Sequence, residues 1–109
     1  SLFNDMKFIV DPKIFIPDNT GFADFTSINY KLGSGGFYGT LHILDTNGNL
    51  VKKLAKNEQL PSEGFFTWDG TDDNNRRVRI GYYLIYFEIY NLSGNIEILK
   101  ETVVVGKRF

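Results

Sequence analysis

Apolar and polar residues alternate along most of this chain, with the period of two that is typical of half-buried β-strands. In the segment Asp24–Leu32, for example, Ile28, Tyr30 and Leu32 fall on one face and polar side chains fall on the other. No long window keeps apolar residues at helical spacing without an interrupting Gly or Pro. The pattern therefore predicts strands and no helix.

The alternating segments are separated by short turn signals, including Gly33–Gly36, Asp45–Asn49 and Asn91–Asn95. About seven strands at this spacing predict an all-β, immunoglobulin-like antiparallel β-sandwich. Pro12 breaks the first strand in two, since proline is tolerated at edges and kinks. The predicted strands are Lys7–Val10 with Lys13–Ile16, Asp24–Leu32, Tyr38–Leu44, Leu50–Leu54, Phe65–Asp69, Ile80–Tyr90 and Ile96–Val105.

The alternation also predicts which side chains enter the core. We expect Leu41 and Ile43 to point inward and Thr40 and His42 to point outward. The lysines of Leu50–Leu54 are typical of a protected sheet edge. We expect the core face to include Phe66, Trp68, Tyr83, Ile85, Phe87 and Ile89.

The last hairpin raises a question of register. A turn at Ser93–Gly94 would place Ile89 opposite Ile98, and Phe87 opposite Lys100. Because a buried lysine is costly, we expect a bulge or a register change near Leu99–Lys100.

Composition narrows the class of protein. The 109 residues suit a single domain spanning 1–109, with 42% hydrophobic and 16% aromatic residues. There is no cysteine, so no disulfide closes the sandwich, and Trp68 with the Phe and Tyr residues must fill that space. The net charge of −1 gives no global field for nucleic acid, and no apolar run is long enough for membrane insertion. Because the chain starts with Ser1 and carries no signal peptide, we expect a C-terminal piece of a larger protein.

Carboxylates cluster in two predicted loops, and carboxylate oxygens are ligands for calcium. One loop offers Asp69, Asp72 and Asp73, and the other offers Asp18, Asn19 and Asp24. The spacing of a calcium-binding helix–loop–helix is absent, and neighbouring arginines compete for the first set. We expect hydrogen-bonded turns and no cofactor, with calcium as the alternative.

The outer face of the longest strand carries three tyrosines, Tyr82, Tyr86 and Tyr90. An exposed row of aromatic rings can stack sugar rings or dock a neighbouring domain. Cross-strand pairing that stabilises the sheet, with lysine stems as cover, is the simpler interpretation. Catalysis is not expected, because the lone His42 has no nucleophile near it in the sequence and is typical of a solvated surface residue.

The stretch "WDGTDDNNRRVRIGYYLIYFEI" (Trp68–Ile89) resembles the immunoglobulin-like domain of flagellar hook-capping proteins. The family pattern is W-D-G-x-D-x-x-G-x-x-V-x-x-G-x-Y. This chain departs from it at one position, where Asn75 replaces the loop glycine, and Asn tolerates a left-handed backbone. Tyr83, near the start of the strand Ile80–Tyr90, is similar to the corner tyrosine of immunoglobulin-type sandwiches, whose hydroxyl forms a hydrogen bond with the backbone. The residues that match the pattern are Trp68, Asp69, Gly70, Asp72, Val78, Gly81 and Tyr83.

The segment Leu41–Leu54 resembles the strand, turn and strand that precede the tryptophan in the same family. The segment Phe15–Leu32 is similar to the opening of some C-terminal modules of secreted bacterial surface proteins. The resemblance implies a non-catalytic structural, adhesive or sorting module of a larger exported protein. It implies an extracellular, cell-surface or periplasmic location. The implied partners are neighbouring domains of the parent chain, the export machinery or a surface glycan. The alternative function is a carbohydrate-binding module that uses Tyr82, Tyr86 and Tyr90.

Overall fold

In the computed structural model, which describes residues 3–108, eight strands form and no helix is present among those residues. Ser1, Leu2 and Phe109 of the predicted domain lie outside the described residues. Nothing in this part of the chain forms a helix with the length and apolarity needed to cross a membrane. The strands are β1 (Lys7–Asp11), β2 (Ile14–Phe15), β3 (Thr26–Lys31), β4 (Phe37–Leu44), β5 (Leu50–Leu60), β6 (Glu63–Trp68), β7 (Gly81–Asn91) and β8 (Ile96–Val105).

The strands are arranged in two sheets that face each other across one core. The smaller sheet has the order β1-β3-β6, and the larger has the order β2-β8-β7-β4-β5. This arrangement confirms the predicted all-β, immunoglobulin-like sandwich. All pairs are antiparallel except β2 with β8, which run parallel with Ile14 beside Val104 and Phe15 beside Val105.

The predicted break in the first strand is a change of sheet. β1 ends at Asp11 and pairs with β3, whereas β2 starts at Ile14 and pairs with β8 in the other sheet. Pro12 lies between them, and both short strands are at sheet edges, where the missing N–H of proline removes no ladder bond.

Aromatic rings fill the centre of the sandwich. Trp68 is completely buried, and its ring contacts Phe15 and Tyr83 edge to face, with centroid distances of 5.5 and 5.3 Å. Edge-to-face contacts of this kind are a favoured geometry for aromatic pairs. The inward residues predicted from the alternation are buried as expected: Ile28, Tyr30, Leu32, Leu41, Ile43, Tyr83, Ile85, Phe87 and Ile89.

The register predicted for the last hairpin is wrong. Ile89 pairs with Glu97 and Phe87 pairs with Leu99, so each partner lies one residue earlier than expected. The reason is the loop, which closes between Asn91 and Asn95 rather than around Ser93–Gly94 alone. Lys100 consequently pairs with Tyr86 on the outer face, and the pairing of β7 with β8 runs without the expected bulge.

The edge strand β5 is longer than predicted. It runs from Leu50 to Leu60 rather than to Leu54, and its second half is mostly exposed and polar. Irregular pairing with β4 accompanies this extension, with register shifts between Gly39 and His42 and again before Leu44. The backbone at Asn57 has a positive φ of 48°, which marks the same distortion.

Candidate functional site

The tyrosine row lies where the sequence places it, on the outer face of β7 near the middle of the larger sheet. Tyr82, near the start of the strand, is 64% exposed, whereas Tyr86 and Tyr90 are only half-buried. Residues four apart on a strand are separated by roughly 13 Å, so the three rings do not touch one another along the strand. What each ring contacts depends on the neighbouring strands.

Tyr90 is held by two side chains from other strands. Its ring stacks on Tyr38 of β4 with a centroid distance of 5.8 Å and an angle of 20° between the ring planes. Its hydroxyl donates a 2.9 Å hydrogen bond to Oδ1 of Asn57 in β5. Tyr90 and Tyr38 therefore act as a cross-strand pair, the arrangement in which paired aromatics stabilise a sheet.

Tyr86 is covered in part by a cation. Nζ of Lys100, its partner on β8, lies 5.9 Å from the centroid of the Tyr86 ring. On the other side of β7, His42 of β4 is the cross-strand partner of Tyr86. His42 is half-buried on the outer face, and its Nε2 is buried with no hydrogen-bond partner among the described residues, so this nitrogen is not solvated as expected.

The outer face of the larger sheet also carries exposed apolar residues beside the Tyr90 end of β7. On β8, Ile96 is 58% exposed beside Tyr90, and Ile98 is 42% exposed beside Glu88. Large exposed aliphatic residues next to an aromatic pair form a surface that favours protein contact over solvent. Ile96 was not singled out from the sequence. Ile98 was expected opposite the core residue Ile89, and the observed register places it on the outer face instead.

The segment Trp68–Tyr83 forms a hydrogen-bonded corner between the two sheets. Nε1 of Trp68 donates to the carbonyl oxygen of Thr71 at 2.8 Å, so the buried indole has its polar group satisfied. Oδ1 of Asp69 accepts hydrogen bonds from the backbone N–H and the hydroxyl of Thr71, at 3.1 and 2.6 Å. Gly70, between them, has a φ of +79° and lies against Pro17.

The second half of this corner leads into β7. Val78 packs against the core, and its N–H donates to the carbonyl of Gly70 at 2.9 Å. The hydroxyl of Tyr83 donates to the carbonyl oxygen of Arg79 at 2.7 Å, which is the bond expected of a corner tyrosine. Burial raises the pKa of Tyr83, which keeps the hydroxyl a donor.

In the sequence, glycine at position 81 is expected to let Tyr83 and the next strand pack closely, and this expected reason is wrong. A Cβ atom built at Gly81 would meet nothing within 4 Å, so close packing does not require glycine there. The backbone does, because φ is +144° at this residue, a conformation that side-chain-bearing residues rarely adopt.

One five-residue turn occurs three times in the molecule. In the turns Asp45–Asn49, Asp72–Arg76 and Asn91–Asn95, the first N–H donates to the fifth carbonyl, and the fourth N–H donates to the first carbonyl. The first side chain accepts a hydrogen bond at Oδ1 from the fifth N–H in each turn. In all three turns the fourth residue has a positive φ.

This repeated turn explains Asn75. It is the fourth residue of its turn with a φ of +61°, where the equivalent residues, Gly48 and Gly94, have φ values of +81° and +90°. Asn is the side-chain-bearing residue that best tolerates this conformation, so the turn keeps its geometry without the glycine of the family pattern.

The acidic residues of the corner are bound to backbone. Oδ1 of Asp72 accepts from the N–H groups of Asn74 and Arg76 at 2.9 and 3.0 Å, and these bonds, that of Arg76 first, hold the pKa of Asp72 below its usual range. Oδ1 of Asp73 accepts from the N–H of Lys53 at 3.0 Å, and this bond attaches the loop to β5. Nζ of Lys52 donates to the hydroxyl of Thr71 at 3.0 Å.

The N-terminal loop has a similar internal network. Asp24 accepts hydrogen bonds from the N–H groups of Thr20 and Gly21, at 3.1 and 2.7 Å. Oδ2 of Asp18 accepts from Nε of Arg108 at 2.9 Å, and the hydrogen bond with Arg108 lowers the pKa of Asp18. Asn19 contributes a left-handed backbone, with a φ of +58°.

No group of three or more His, Asp or Glu side chains within residues 3–108 is arranged to hold a metal ion. Asp18 and Asp24 of one candidate loop and Asp69, Asp72 and Asp73 of the other form no such group, although the two loops are neighbours where Pro17 lies against Gly70. Calcium binding stays a prediction, and in this geometry the carboxylates accept hydrogen bonds from the turns.

The fold and the corner agree with comparisons to known proteins. The family model of the FlgD Ig-like domain matches residues 20–95, which is more than half of the chain. The chain belongs to the FlgD Ig-like domain family. The match covers the corner, the tyrosine row and all three repeated turns.

A solved structure, "The crystal structure of CopC from Methylosinus trichosporium OB3b", has a similar fold. The TM-score is 0.51 with 24% sequence identity, over 79% of this chain and 78% of that chain. No curated protein matches this chain. The FlgD Ig-like domain is a non-enzymatic family, and its members are small immunoglobulin-like modules.

Proposed function

We propose that this chain is a non-catalytic module of a larger exported bacterial protein, where it serves spacing, surface attachment or export recognition. Its partners are the neighbouring domains of the parent chain and the components that hold or export that protein. Its location is the cell surface or the extracellular medium, with the periplasm as the other extracytoplasmic site.

The observation that carries this proposal is the use of the polar side chains in the corner. Asp69, Asp72 and Asp73 accept hydrogen bonds from backbone N–H groups of the turn or of β5. A carboxylate committed to the backbone stabilises a rigid loop and is not free to activate a nucleophile or a water. The polar groups of this region support the scaffold, as expected of a module whose work is structural.

The exposed surfaces give further support. An interaction module needs apolar area outside its own core, and Ile96, Ile98 and Tyr82 supply it on one face of the larger sheet. On the smaller sheet, Ile9 and Phe65 flank Asn29 on the outer face and are 64% and 66% exposed. Both faces are suited to a covering domain of the parent chain.

An immunoblot of native cell fractions, with an antibody against this domain, tests the proposal. We expect a band well above 12.5 kDa in the surface fraction or the medium. A large intracellular protein whose exported form has lost the epitope would identify a removable sorting domain. A free cytosolic band near 12.5 kDa would contradict both versions.

Carbohydrate binding through the tyrosine row is the second candidate, and the exposure of Tyr82 favours it. Titration with a panel of polysaccharides while tyrosine and tryptophan fluorescence is recorded tests it. Binding that Tyr82→Ala and Tyr86→Ala abolish, with the domain still folded, would support a glycan site. Unchanged fluorescence across the panel would remove it.

A further inference from the structure

The arginines of this chain are unevenly distributed. The net charge is −1, with 12 basic and 13 acidic residues, yet all the arginines fall in two short segments, 76–79 and 108. The fold brings these segments together, because Arg77 and Arg108 line the same cavity. Arginine is the residue best suited to bind carboxylates through paired hydrogen bonds.

This cavity, called here the basic pocket, lies where the chain enters β7 and leaves β8, and its volume is about 370 Å³. Its floor is apolar and is formed by Ile16, Val78, Ile80 and Val105. Val105 is almost completely buried, whereas Ile80 is 59% exposed. An exposed isoleucine on a concave apolar floor leaves room for an apolar side chain from outside.

The rim of the basic pocket carries more positive than negative charge. Of the residues that the structure describes, Arg77, Lys107 and Arg108 line it together with a single carboxylate, Asp18. Asp18 already pairs with Arg108 at 2.9 Å. Among residues 3–108, neither Arg77 nor Lys107 takes part in an ion pair, and both are exposed. Two cations are therefore available to a ligand at the rim.

We propose that the basic pocket docks an acidic peptide segment of a partner protein, which places one apolar side chain on the floor and carboxylates against Arg77 and Lys107. The inference rests on the interaction role proposed above and assigns that role to a specific surface. The charge of the rim is complementary to the peptide's carboxylates, and the floor is complementary to its apolar side chain.

The pocket suits a peptide better than other anionic ligands. No aromatic residue within 3–108 lines it, whereas a sugar or a base is usually bound by stacking on such a ring. A small inorganic anion would leave the apolar floor uncovered. A concave site of this volume accepts one or two side chains, whereas a membrane surface contacts convex or flat apolar patches.

The test measures binding of a fluorescein-labelled octapeptide, with Leu and Phe at its centre and three Asp or Glu residues on each side, by fluorescence anisotropy. The full chain is the protein in every titration. We expect saturable binding that weakens several-fold when ionic strength rises from 50 to 200 mM, since rim charges are partly screened. A peptide with Ser at both central positions is expected to bind at least ~5-fold more weakly, because it leaves the floor uncovered.

Variants locate the site. The double variant Arg77→Gln with Lys107→Gln is expected to weaken binding by ~10-fold or more, since it removes both available charges. Ile80→Ser is expected to weaken peptide binding by ~5-fold, because it removes apolar area from the floor of the pocket. Since Ile80 is largely exposed, we expect this variant to fold. Lys7→Gln, which removes an exposed lysine of the smaller sheet, is the matched control and is expected to leave affinity within about 2-fold.

Several outcomes would overturn the proposal. They are the absence of saturable binding, equal affinity for the Ser-substituted peptide, and insensitivity to the double variant. Binding to phosphatidylglycerol vesicles or to dextran sulfate in place of the peptide would assign the basic pocket to a lipid or a glycan. The immunoblot of cell fractions tests the exported module separately, so failure of peptide binding leaves that conclusion unaffected.

Discussion

The hydroxyl of Tyr83 lies 2.7 Å from the carbonyl oxygen of Arg79 and donates a hydrogen bond to it. This bond closes the corner between the loop that carries the arginines and the first residues of β7. The ring of the same tyrosine packs edge to face on Trp68 in the core. One side chain therefore links the core to the corner, at a residue that lies between Val78 and Ile80 of the pocket floor.

Replacing Tyr83 with Phe removes this bond and leaves the carbonyl of Arg79 without its partner. We expect the free energy of unfolding to fall by about 1–2 kcal/mol, because a lost hydrogen bond also leaves an acceptor unsatisfied. Urea denaturation followed by tryptophan fluorescence measures the change. Tyr82→Phe is the matched control, since this neighbour is 64% exposed and is expected to change stability by less than about 0.5 kcal/mol. Equal effects of the two substitutions would contradict the role given to Tyr83.

The positive φ at Asn75 is a backbone conformation that asparagine and glycine tolerate and that strains alanine. Asn75→Ala is expected to cost about 1 kcal/mol, because alanine pays the steric penalty of a positive φ without the local hydrogen bonding of Asn. Asn75→Gly restores the residue of the family pattern and is expected to match or exceed wild-type stability. Thermal unfolding of the three proteins compares them. A more stable alanine variant would show that the turn relaxes to another conformation.

The predictions from the sequence agree best with the structure where strand alternation or a local turn preference determines the conformation. Alternation placed Ile28, Leu41 and Phe87 in the core, because one buried face of a strand requires it. The resemblance placed Trp68 and Tyr83 in one structural unit, and the two rings touch. The turn at Asn75 also followed from a local preference.

The register of the last hairpin depended on a feature that alternation does not report. The side chain of Asn91 accepts the N–H of Asn95 and so closes a loop with one more residue than the assumed turn. The same residue pattern, Asp or Asn followed three residues later by Gly or Asn, was present at Asp45 and Asp72. The sequence shows that the three turns share this pattern, but the hydrogen bonds that set the register are visible only in the structure.

The partners of the tyrosine row and the length of β5 depended on tertiary contacts. Asn57 meets Tyr90 only because an irregular, polar edge strand continues past Leu54. Backbone pairing along that edge carries no apolar pattern, so sequence periodicity does not detect it.

Acidic pH is expected to weaken the repeated turns. The hydrogen bonds from Asn49 and Arg76 lower the pKa of Asp45 and Asp72, respectively. A lowered pKa in the folded state contributes stability that is present above the unfolded value, near 3.9, and is lost as pH falls through the folded value. Asn91 shows that an amide fits the first position of this turn.

The double variant Asp45→Asn with Asp72→Asn is therefore expected to lose less stability than wild type between pH 6 and pH 2.5. Urea denaturation at a series of pH values measures both proteins. Asp5→Asn, at an exposed aspartate outside these turns, serves as the control and is expected to follow wild type. Parallel pH profiles for the double variant and wild type would count against the turns as the acid-sensitive elements.

Substitution by alanine is expected to destabilise the domain at Gly39 but not at Gly35. A Cβ atom at Gly39 would lie 2.8 Å from Cδ1 of Leu60 and 2.9 Å from Cε1 of Phe87, and both side chains are buried. Gly39→Ala is expected to cost about 1–3 kcal/mol through overpacking. Gly35→Ala meets nothing within 4 Å and is expected to be neutral. Chemical denaturation distinguishes the two, and a neutral Gly39→Ala would mean that β4 and β5 shift apart at the bulge.

The parallel pairing of β2 with β8 determines how the domain would respond to a mechanical load. The N–H of Val104 donates to the carbonyl of Lys13, and the N–H of Gly106 donates to the carbonyl of Phe15, at 2.7 and 2.8 Å. Because the strands run in the same direction, a pull on Lys13 and Gly106 away from each other slides the two strands along their length. Both hydrogen bonds then carry the load together in shear, whereas an antiparallel terminal pair would open one bond at a time. A domain built in this way resists extension between Lys13 and Gly106, with Phe15 and Val105 of the core on the two strands that carry the load.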